Sequence, residues 1–262
     1  MPQDNPIAIE FRDVTFIQNG RALVSNLNFT IGRGEVLVLL GRSGSGKTTT
    51  MKLINRLFVP SHGEILFEGI PTTKWDEIKL RRQMGYVIQE TGLFPHFTIE
   101  RNVGLVPALE SWKPKQIKAR VYELLNLVGL EPEQFAHRYP RELSGGQRQR
   151  VGVARALAAD PPVLLMDEPF GALDPVTRLE IQQQFRRLQQ QLGKTVIFVT
   201  HDIQEAFILA SRIGLMQAGR MLVLSTPEEF LKSPKPEARA FIKGLPPFAQ
   251  IYNSGEKNVK LT

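Results

Sequence analysis

No cysteine occurs among the 262 residues. That excludes a disulfide framework, a thiolate-held zinc or iron–sulfur centre, and a cysteine nucleophile. It also suits a reducing compartment. Long apolar runs are missing as well. Val36 to Leu40 and Val163 to Met166 fall far short of the ~18 to 20 residues that a membrane-spanning helix needs. The opening MPQDNPIAIE has two prolines and an acid but no apolar core, which argues against a secretory leader. Internal repeats and low-complexity tracts are absent too. At roughly 150 residues per domain the length fits one or two domains, and it needs no covalent staple. Lysine and arginine total 33 against 26 acids, a net charge of +7. This excess fits an anionic partner such as nucleotide, nucleic acid or anionic lipid, or simply a solvated basic surface.

What is present reads as an α/β chain. Ile7 to Ile17 and Ala22 to Ile31 have the alternating and β-branched character of strands, joined by a turn at Asn19-Gly20. After the turn Gly32-Arg33-Gly34-Glu35, Val36 to Leu40 is a continuous apolar run, as in a parallel strand buried on both faces. A glycine-rich loop and a helix over about 47–57 follow. The middle of the chain is helical, with Ile117, Val121, Leu124, Leu125 and Val128 on one face of 114–129 and a second helix running to about Asp160. Then alternation resumes. Strands are predicted at 163–166 and 195–199 around a long polar helix over 174–192, with short strands at 212–216 and 221–224. Strand–helix alternation predicts a mostly parallel sheet covered by helices, with the helical middle as an insertion. The stretch after Gly244 reads as loop.

Two segments carry the chemistry. Gly41-Arg42-Ser43-Gly44-Ser45-Gly46-Lys47-Thr48 matches G-x-x-x-x-G-K-[ST] in full, between a buried strand and a helix start. Backbone N–H groups of such a loop point at phosphate oxygens, and the helix start adds positive potential. Lys47 is expected to reach the β- and γ-phosphates of a nucleotide, with Thr48 on Mg²⁺ and Thr49 beside it. Downstream, Val163-Leu164-Leu165-Met166 ends in Asp167-Glu168. Neighbouring strand residues face opposite ways, so the tandem acids predict two roles. Asp167 would hold the metal, and Glu168 would act as general base on the attacking water. The sequence holds no Asn-Lys dipeptide, so the guanine reader Asn-Lys-x-Asp is missing and a GTPase is disfavoured. Leu143-Ser144-Gly145-Gly146-Gln147 opens another helix, with Ser144 as cap and two glycines baring the backbone. It is a second anion-binding helix start, without a lysine.

With these segments in place, the chain resembles the ATP-binding subunits of ABC transporters. LSGGQ is similar to their signature motif, Gln89 in YVIQE to the Q-loop, Phe170 to Pro175 (FGALDP) to the D-loop, and Val199 to Asp202 (VTHD) to the switch-histidine segment. The resemblance spans about Ile7 to Ile242 and implies a RecA-like phosphate-loop core, an N-terminal antiparallel β subdomain and an inserted α-helical subdomain. On that pattern residues 1–243 form one ATPase domain, the core falling at about 1–90 and 160–243 and the helical subdomain at about 91–159, with 244–262 as a tail. It further implies a nucleotide-dependent head-to-tail homodimer with two ATP molecules. Each site would join the Lys47 loop of one protomer to Ser144, Gly145, Gly146 and Gln147 of the other. Gln89 would contact Mg²⁺ or the attacking water, His201 the γ-phosphate, and Asp174 the dimer seam. The resembled family stacks adenine on an aromatic residue near the end of the first strand. Here that place falls at Gln18, with Phe16 two residues earlier on the same strand face, and both stay open as the base contact.

Single-cassette length and zero cysteines set aside relatives that act on DNA or the ribosome, and no nucleic-acid partner is expected. The finer resemblance is to the ATPases of glycine betaine, choline or carnitine importers, carried by Tyr86 to Pro107, Arg138 to Pro162 and Asp167 to Phe185. It implies integral membrane channel subunits, a substrate-binding protein and a peripheral place on the cytoplasmic side of the cell membrane. A lipid or amino-acid cassette, or one that drives a soluble partner, remains the alternative. Many of the resembled ATPases add paired regulatory domains after the cassette, and regulation by that route is not expected from these 262 residues. Leu93, Phe94, Phe97 and Ile99, after the Q-loop, either pack into the local core or, as the resemblance implies, belong to a groove that receives a short helix of the membrane subunit.

Overall fold

The structure is a computed structural model that describes residues 6–89, 92–171 and 173–245. Its strands are β1 (Ile7–Gln18), β2 (Arg21–Gly32), β3 (Val36–Leu40), β4 (His62–Phe67), β5 (Ile70–Pro71), β6 (Met84–Val87), β7 (Val163–Asp167), β8 (Thr195–Thr200), β9 (Arg212–Gln217) and β10 (Arg220–Ser225). The helices are α1 (Lys47–Ile54), α2 (Glu77–Arg82), α3 (Ile99–Val103), α4 (Leu105–Leu109), α5 (Pro114–Leu127), α6 (Pro132–Phe135), α7 (Gly145–Leu157), α8 (Pro175–Leu192), α9 (Ile203–Leu209), α10 (Pro227–Leu231) and α11 (Pro236–Ile242).

Two sheets share the molecule. An antiparallel sheet has the order β2-β1-β4-β5, and a six-stranded sheet the order β10-β9-β3-β8-β7-β6. The β1–β2 hairpin closes through Asn19 and Gly20, both left-handed (φ 52 and 73), as a two-residue turn matched to strand twist requires. In the larger sheet every pairing among β9, β3, β8, β7 and β6 is parallel, and only β10 runs against its neighbour.

Strand alternation splits the interior into two cores. Val36, Val38, Leu40, Leu164, Met166, Val196 and Phe198 face one, together with buried residues of α7, α8 and α9. Leu37, Leu39, Val163, Leu165, Ile197 and Val199 face the other, with Met51, Leu53 and Ile54 of α1 and the inward side of β1 and β2. The five residues of β3 are all buried, which is why they read as an unbroken apolar run. Burial on both sides sets the strand ends firmly, and the loops at those ends form the site. Helices α3 to α7 lie between β6 and β7 in the chain, and α7 returns under the sheet. Gly85 of β6 passes so close that a Cβ there would stand 2.2 Å from Ala156 O.

Helix boundaries differ from the periodicity where the backbone closes early. The helix expected to reach 57 stops at Ile54. Arg56 turns left-handed (φ 54), and the N–H groups of Leu57 and Phe58 both fold back onto Lys52 O. Strands β4 to β6 and the short helices α2, α9, α10 and α11 carry too few residues to show a period. No helix among the described residues is long and apolar enough to cross a membrane.

Candidate active site

The phosphate loop leaves the buried end of β3 and must turn within a narrow space. A Cβ on Gly41 would stand 2.4 Å from Met216 O, and one on Gly46, left-handed at φ 101, would stand 2.8 Å from Leu23 O. Only glycine fits both. Lys47 is buried, and its Nζ donates to Gly41 O (2.7 Å) and Arg42 O (3.0 Å). Burial lowers its pKa, while the carboxylates of Glu168 and Asp167 work in the opposite direction. Ser43 to Thr49, with Leu23 and Glu168, line one cavity. Within the loop the Ser45 hydroxyl oxygen is buried and has no hydrogen-bond partner among the described residues. A glycine-cleared backbone and a folded-back ammonium beside a cavity fit a polyphosphate.

The tandem acids divide as their alternation predicts. Asp167 shares a sheet face with Leu165, on the α1 side, and accepts a hydrogen bond at Oδ1 from the Thr48 hydroxyl (2.9 Å). Burial pushes the Asp167 carboxyl up, and the Thr48 bond partly offsets this. Tyr86 pairs with Leu165 across β6 and β7, and burial together with the Asp167 charge pushes its phenol up to about 12. Among the described residues no cluster of three or more His, Cys, Asp or Glu could hold a metal. A Thr hydroxyl and a single carboxylate nevertheless fit Mg²⁺, which keeps several waters and takes phosphate oxygens. Glu168 leaves the strand in a left-handed conformation (φ 44), with its N–H on Val199 O (3.0 Å). Such strain at a non-glycine residue costs of order 1–3 kcal/mol and clusters at functional positions. The turn sends the Glu168 carboxylate to the cavity, where Oε2 is 3.1 Å from His201 Nδ1.

The other expected site residues lie apart from this cavity. Ser144 and Gln147 form a reciprocal cap: Ser144 Oγ accepts from Gln147 N (3.2 Å) and Gln147 Oε1 accepts from Ser144 N (2.9 Å). Ser144 and Gly145 are exposed, and no residue of 144–147 lines the cavity. Gly146 is buried for a packing reason, because a Cβ there would stand 2.8 Å from Thr177 Cγ2 of α8. Asp174 caps α8 by accepting from Thr177 N (3.0 Å), beside an exposed Val176. Gln89 is exposed beyond the end of β6. Glu90, Thr91 and Ala172, inside the expected Q-loop and D-loop segments, lie outside the described residues, as do the tail residues from 246 on.

Two expectations are corrected. Phe16 is 9% exposed and stacks on Phe58 at 4.9 Å between ring centres, so its ring belongs to the core and offers no face to adenine. Gln18 is exposed at the hairpin end. Ile99 is fully buried in the helical core and is no groove anchor. Phe94 is exposed and Phe97 half-buried, and their loop is tied down by Asn102. That buried amide accepts from Phe94 N (2.8 Å) and donates to the carbonyls of Phe94, Phe97 and Thr98. Leu23 and Tyr86 are site residues that the motifs do not flag. Leu23 reads as an ordinary strand residue, and only the pairing of β6 with β7 brings Tyr86 to Asp167.

Lys47→Ala is expected to remove nucleotide binding at micromolar concentration, since it deletes the one lysine that the loop buries. Titration with a fluorescent ATP analogue measures this. Unchanged affinity would sink the phosphate-loop assignment.

Comparison with known proteins agrees with this geometry. The family profile described as ABC transporter matches residues 24–171. The choline transport ATP-binding protein OpuBA of Bacillus subtilis (strain 168) is 53% identical over 220 residues, 84% of this chain and 58% of that protein. The chain therefore spans less than two thirds of that relative. The glycine betaine uptake system ATP-binding protein YehX of Escherichia coli (strain K12) is 47% identical over 253 residues, 97% of this chain and 79% of that protein. The dimeric post-hydrolysis structure of the ATP-binding cassette MJ0796, bound to ADP and Pi, superposes with a TM-score of 0.73 at 36% identity, covering 83% of this chain and 98% of that one. Matched by its profile over more than half its length and by these relatives over most of it, the chain belongs to the ABC transporter family, among its ATP-binding cassettes.

Proposed function

We propose that this chain hydrolyses ATP, with Mg²⁺, as a head-to-tail homodimer, and that the cycle drives import of a quaternary-amine osmoprotectant through separate membrane subunits. The observation that carries the hydrolytic reading is the placement of Glu168. Its left-handed turn brings a carboxylate into the phosphate-loop cavity and against His201. Glu168 takes a proton from the attacking water at a carboxylate oxygen. His201 orients that carboxylate and reaches the γ-phosphate from the open side of the cavity. The Thr48 hydroxyl and the Asp167 carboxylate, with Gln89 beyond β6, would hold Mg²⁺, which would supply charge neutralisation to the phosphates. Lys47 leaves the carbonyls of Gly41 and Arg42 for the phosphate oxygens, exchanging neutral acceptors for charged ones, which bind a cation more strongly.

The dimer reading rests on two anion surfaces that do not meet within one chain. The exposed Ser144–Gly145 helix start is separate from the cavity of its own loop, and a second copy supplies the missing partner. The substrate class rests on the relatives named for choline and glycine betaine transport. Membrane subunits follow from the family, with a peripheral place for this chain at the cytoplasmic face and a substrate-binding protein delivering the cargo. The exposed Phe94, on a loop fixed by Asn102, is the anchor for a membrane-subunit helix.

Glu168→Gln is expected to keep ATP binding and lose turnover by about 10²- to 10⁴-fold, the usual worth of a general base. With turnover blocked, ATP and Mg²⁺ should hold it as a dimer in size-exclusion chromatography. A variant that hydrolyses normally would refute the base. One that binds ATP yet stays monomeric would refute the shared site.

Phe94→Asp addresses the membrane partner. A normal melt, reduced co-purification with the membrane subunits and reduced uptake of labelled choline or glycine betaine are expected. Normal assembly would end the docking reading. Normal assembly together with no uptake of either compound by the wild-type complex would remove the substrate class.

A further inference from the structure

Beneath His201 lies a polar network that no step of hydrolysis directly uses. Thr200, the last residue of β8, is buried, and its hydroxyl makes two bonds. It donates to Glu205 Oε2 and accepts the N–H of Asp202 (2.9 Å). These bonds close a tight turn around His201, whose side chain stays exposed at 62%. Glu205, in α9, is buried as well, and its Oε1 accepts from Gln182 Nε2 of α8 (3.0 Å). One helical turn before Gln182, on the same face of α8, stands Arg178. Its Nη2 donates to Leu173 O (3.0 Å) and Gly171 O (3.4 Å), while Nη1 lies 3.7 Å from Asp202 Oδ2. Asp202 in turn accepts from Gln204 N at the start of α9 (2.8 Å).

Burying a carboxylate here is costly. Desolvation pushes the Glu205 carboxyl up, and the Thr200 and Gln182 bonds offset only part of this. A well-packed apolar side chain of similar volume is often as stable or more stable than a buried charged group. What the polar arrangement adds is direction. Each Glu205 oxygen has its own donor, one from the His201 turn and one from α8, and the Thr200 hydroxyl is left with its lone pair on Asp202 N–H. Arg178 ties the other side of the same turn to the backbone before Asp174. The stretch that carries His201 and the stretch that runs to Asp174 are thus fastened to one face of one helix.

We propose that Glu205 and Arg178 are positioning residues for ATP hydrolysis. Glu205 acts through Thr200 to hold the turn that presents His201 to Glu168. Arg178 joins that turn to the carbonyls of Gly171 and Leu173, so the histidine and the backbone leading to the expected dimer seam move as one body. This rests on the ATPase reading above. In that reading a shift of the seam on dimer closure is delivered to His201 without passing through the nucleotide.

The test uses the full chain and three variants: Thr200→Val, which keeps the shape without the hydroxyl; Thr200→Ser, which keeps the hydroxyl; and Arg178→Met. Steady-state ATPase rates, ATP affinity and thermal melts are compared with wild type. For Thr200→Val and Arg178→Met, kcat is expected to fall about 10- to 100-fold, as for a misplaced catalytic group, with ATP affinity retained. Thr200→Val is also expected to melt at a lower temperature, because the buried Glu205 carboxylate loses a donor, so rates are compared where every variant is fully folded. Thr200→Ser is expected to restore kcat, which a purely space-filling threonine would not allow. Wild-type kcat in Thr200→Val, or a Thr200→Ser variant as slow as the valine, would overturn the Glu205 arm. If Thr200→Val does not fold, Arg178→Met decides, because that side chain is part-exposed. Normal kcat in the folded Arg178→Met protein would overturn the proposal. An inactive wild type would instead overturn the ATPase reading itself.

Discussion

A lysine ammonium buried at the start of α1, behind the loop that leaves a parallel strand, is the constraint on which the rest of this structure depends. Among the described residues Lys47 has no carboxylate within hydrogen-bond distance, and it is held by two backbone carbonyls of its own loop. The arrangement is tolerable because Asp167 and Glu168 stand near enough to favour the charged form. In the proposed reaction the lysine exchanges these neutral acceptors for phosphate. The glycines at 41 and 46 follow from the same requirement, since the loop must curl between Met216 and Leu23 to bring those carbonyls to the ammonium.

The two acids show how one strand serves two purposes. Asp167 continues the alternation of β7 and lands on the α1 side, where Thr48 meets it. Glu168 abandons the alternation through its own left-handed backbone and lines the phosphate-loop cavity. The six-stranded sheet makes both placements firm. Its central strands are buried on both faces, between a core shared with α1 and the N-terminal sheet and a core shared with α7, α8 and α9. Displacing either acid means displacing close-packed side chains on one face or the other.

Much of this was legible in the sequence because its signals are local. The phosphate loop, the strand before it and the acid-ended strand each announce themselves within a few residues. Even the Asn19-Gly20 turn is marked by two residue types that tolerate a left-handed backbone. What escaped the sequence is set by pairing at a distance. Tyr86 meets Asp167 only because β6 lies beside β7. Phe16 was a candidate base contact by its position on the strand, yet Phe58 arrives from the loop after α1 and claims its ring for the core. Ile99 looked like one of a run of exposed apolar residues, but it faces the helical core while Phe94 faces outward. Gly146 looked like part of an anion site and also proves to be a contact point for α8.

The proposed shared site rests on the separation of Ser144 and Gly145 from the Lys47 cavity. The central claim is that each active site is shared between two copies, and complementation tests it most directly. Subunits carrying Lys47→Ala are mixed with subunits carrying Ser144→Arg, and ATPase activity is measured for each parent and for the mixture. In the mixed dimer one site carries both defects and the other carries neither. The account expects no activity from either parent and clear activity from the mixture. Activity in the Ser144→Arg parent equal to wild type, or a mixture as inactive as both parents, would contradict it.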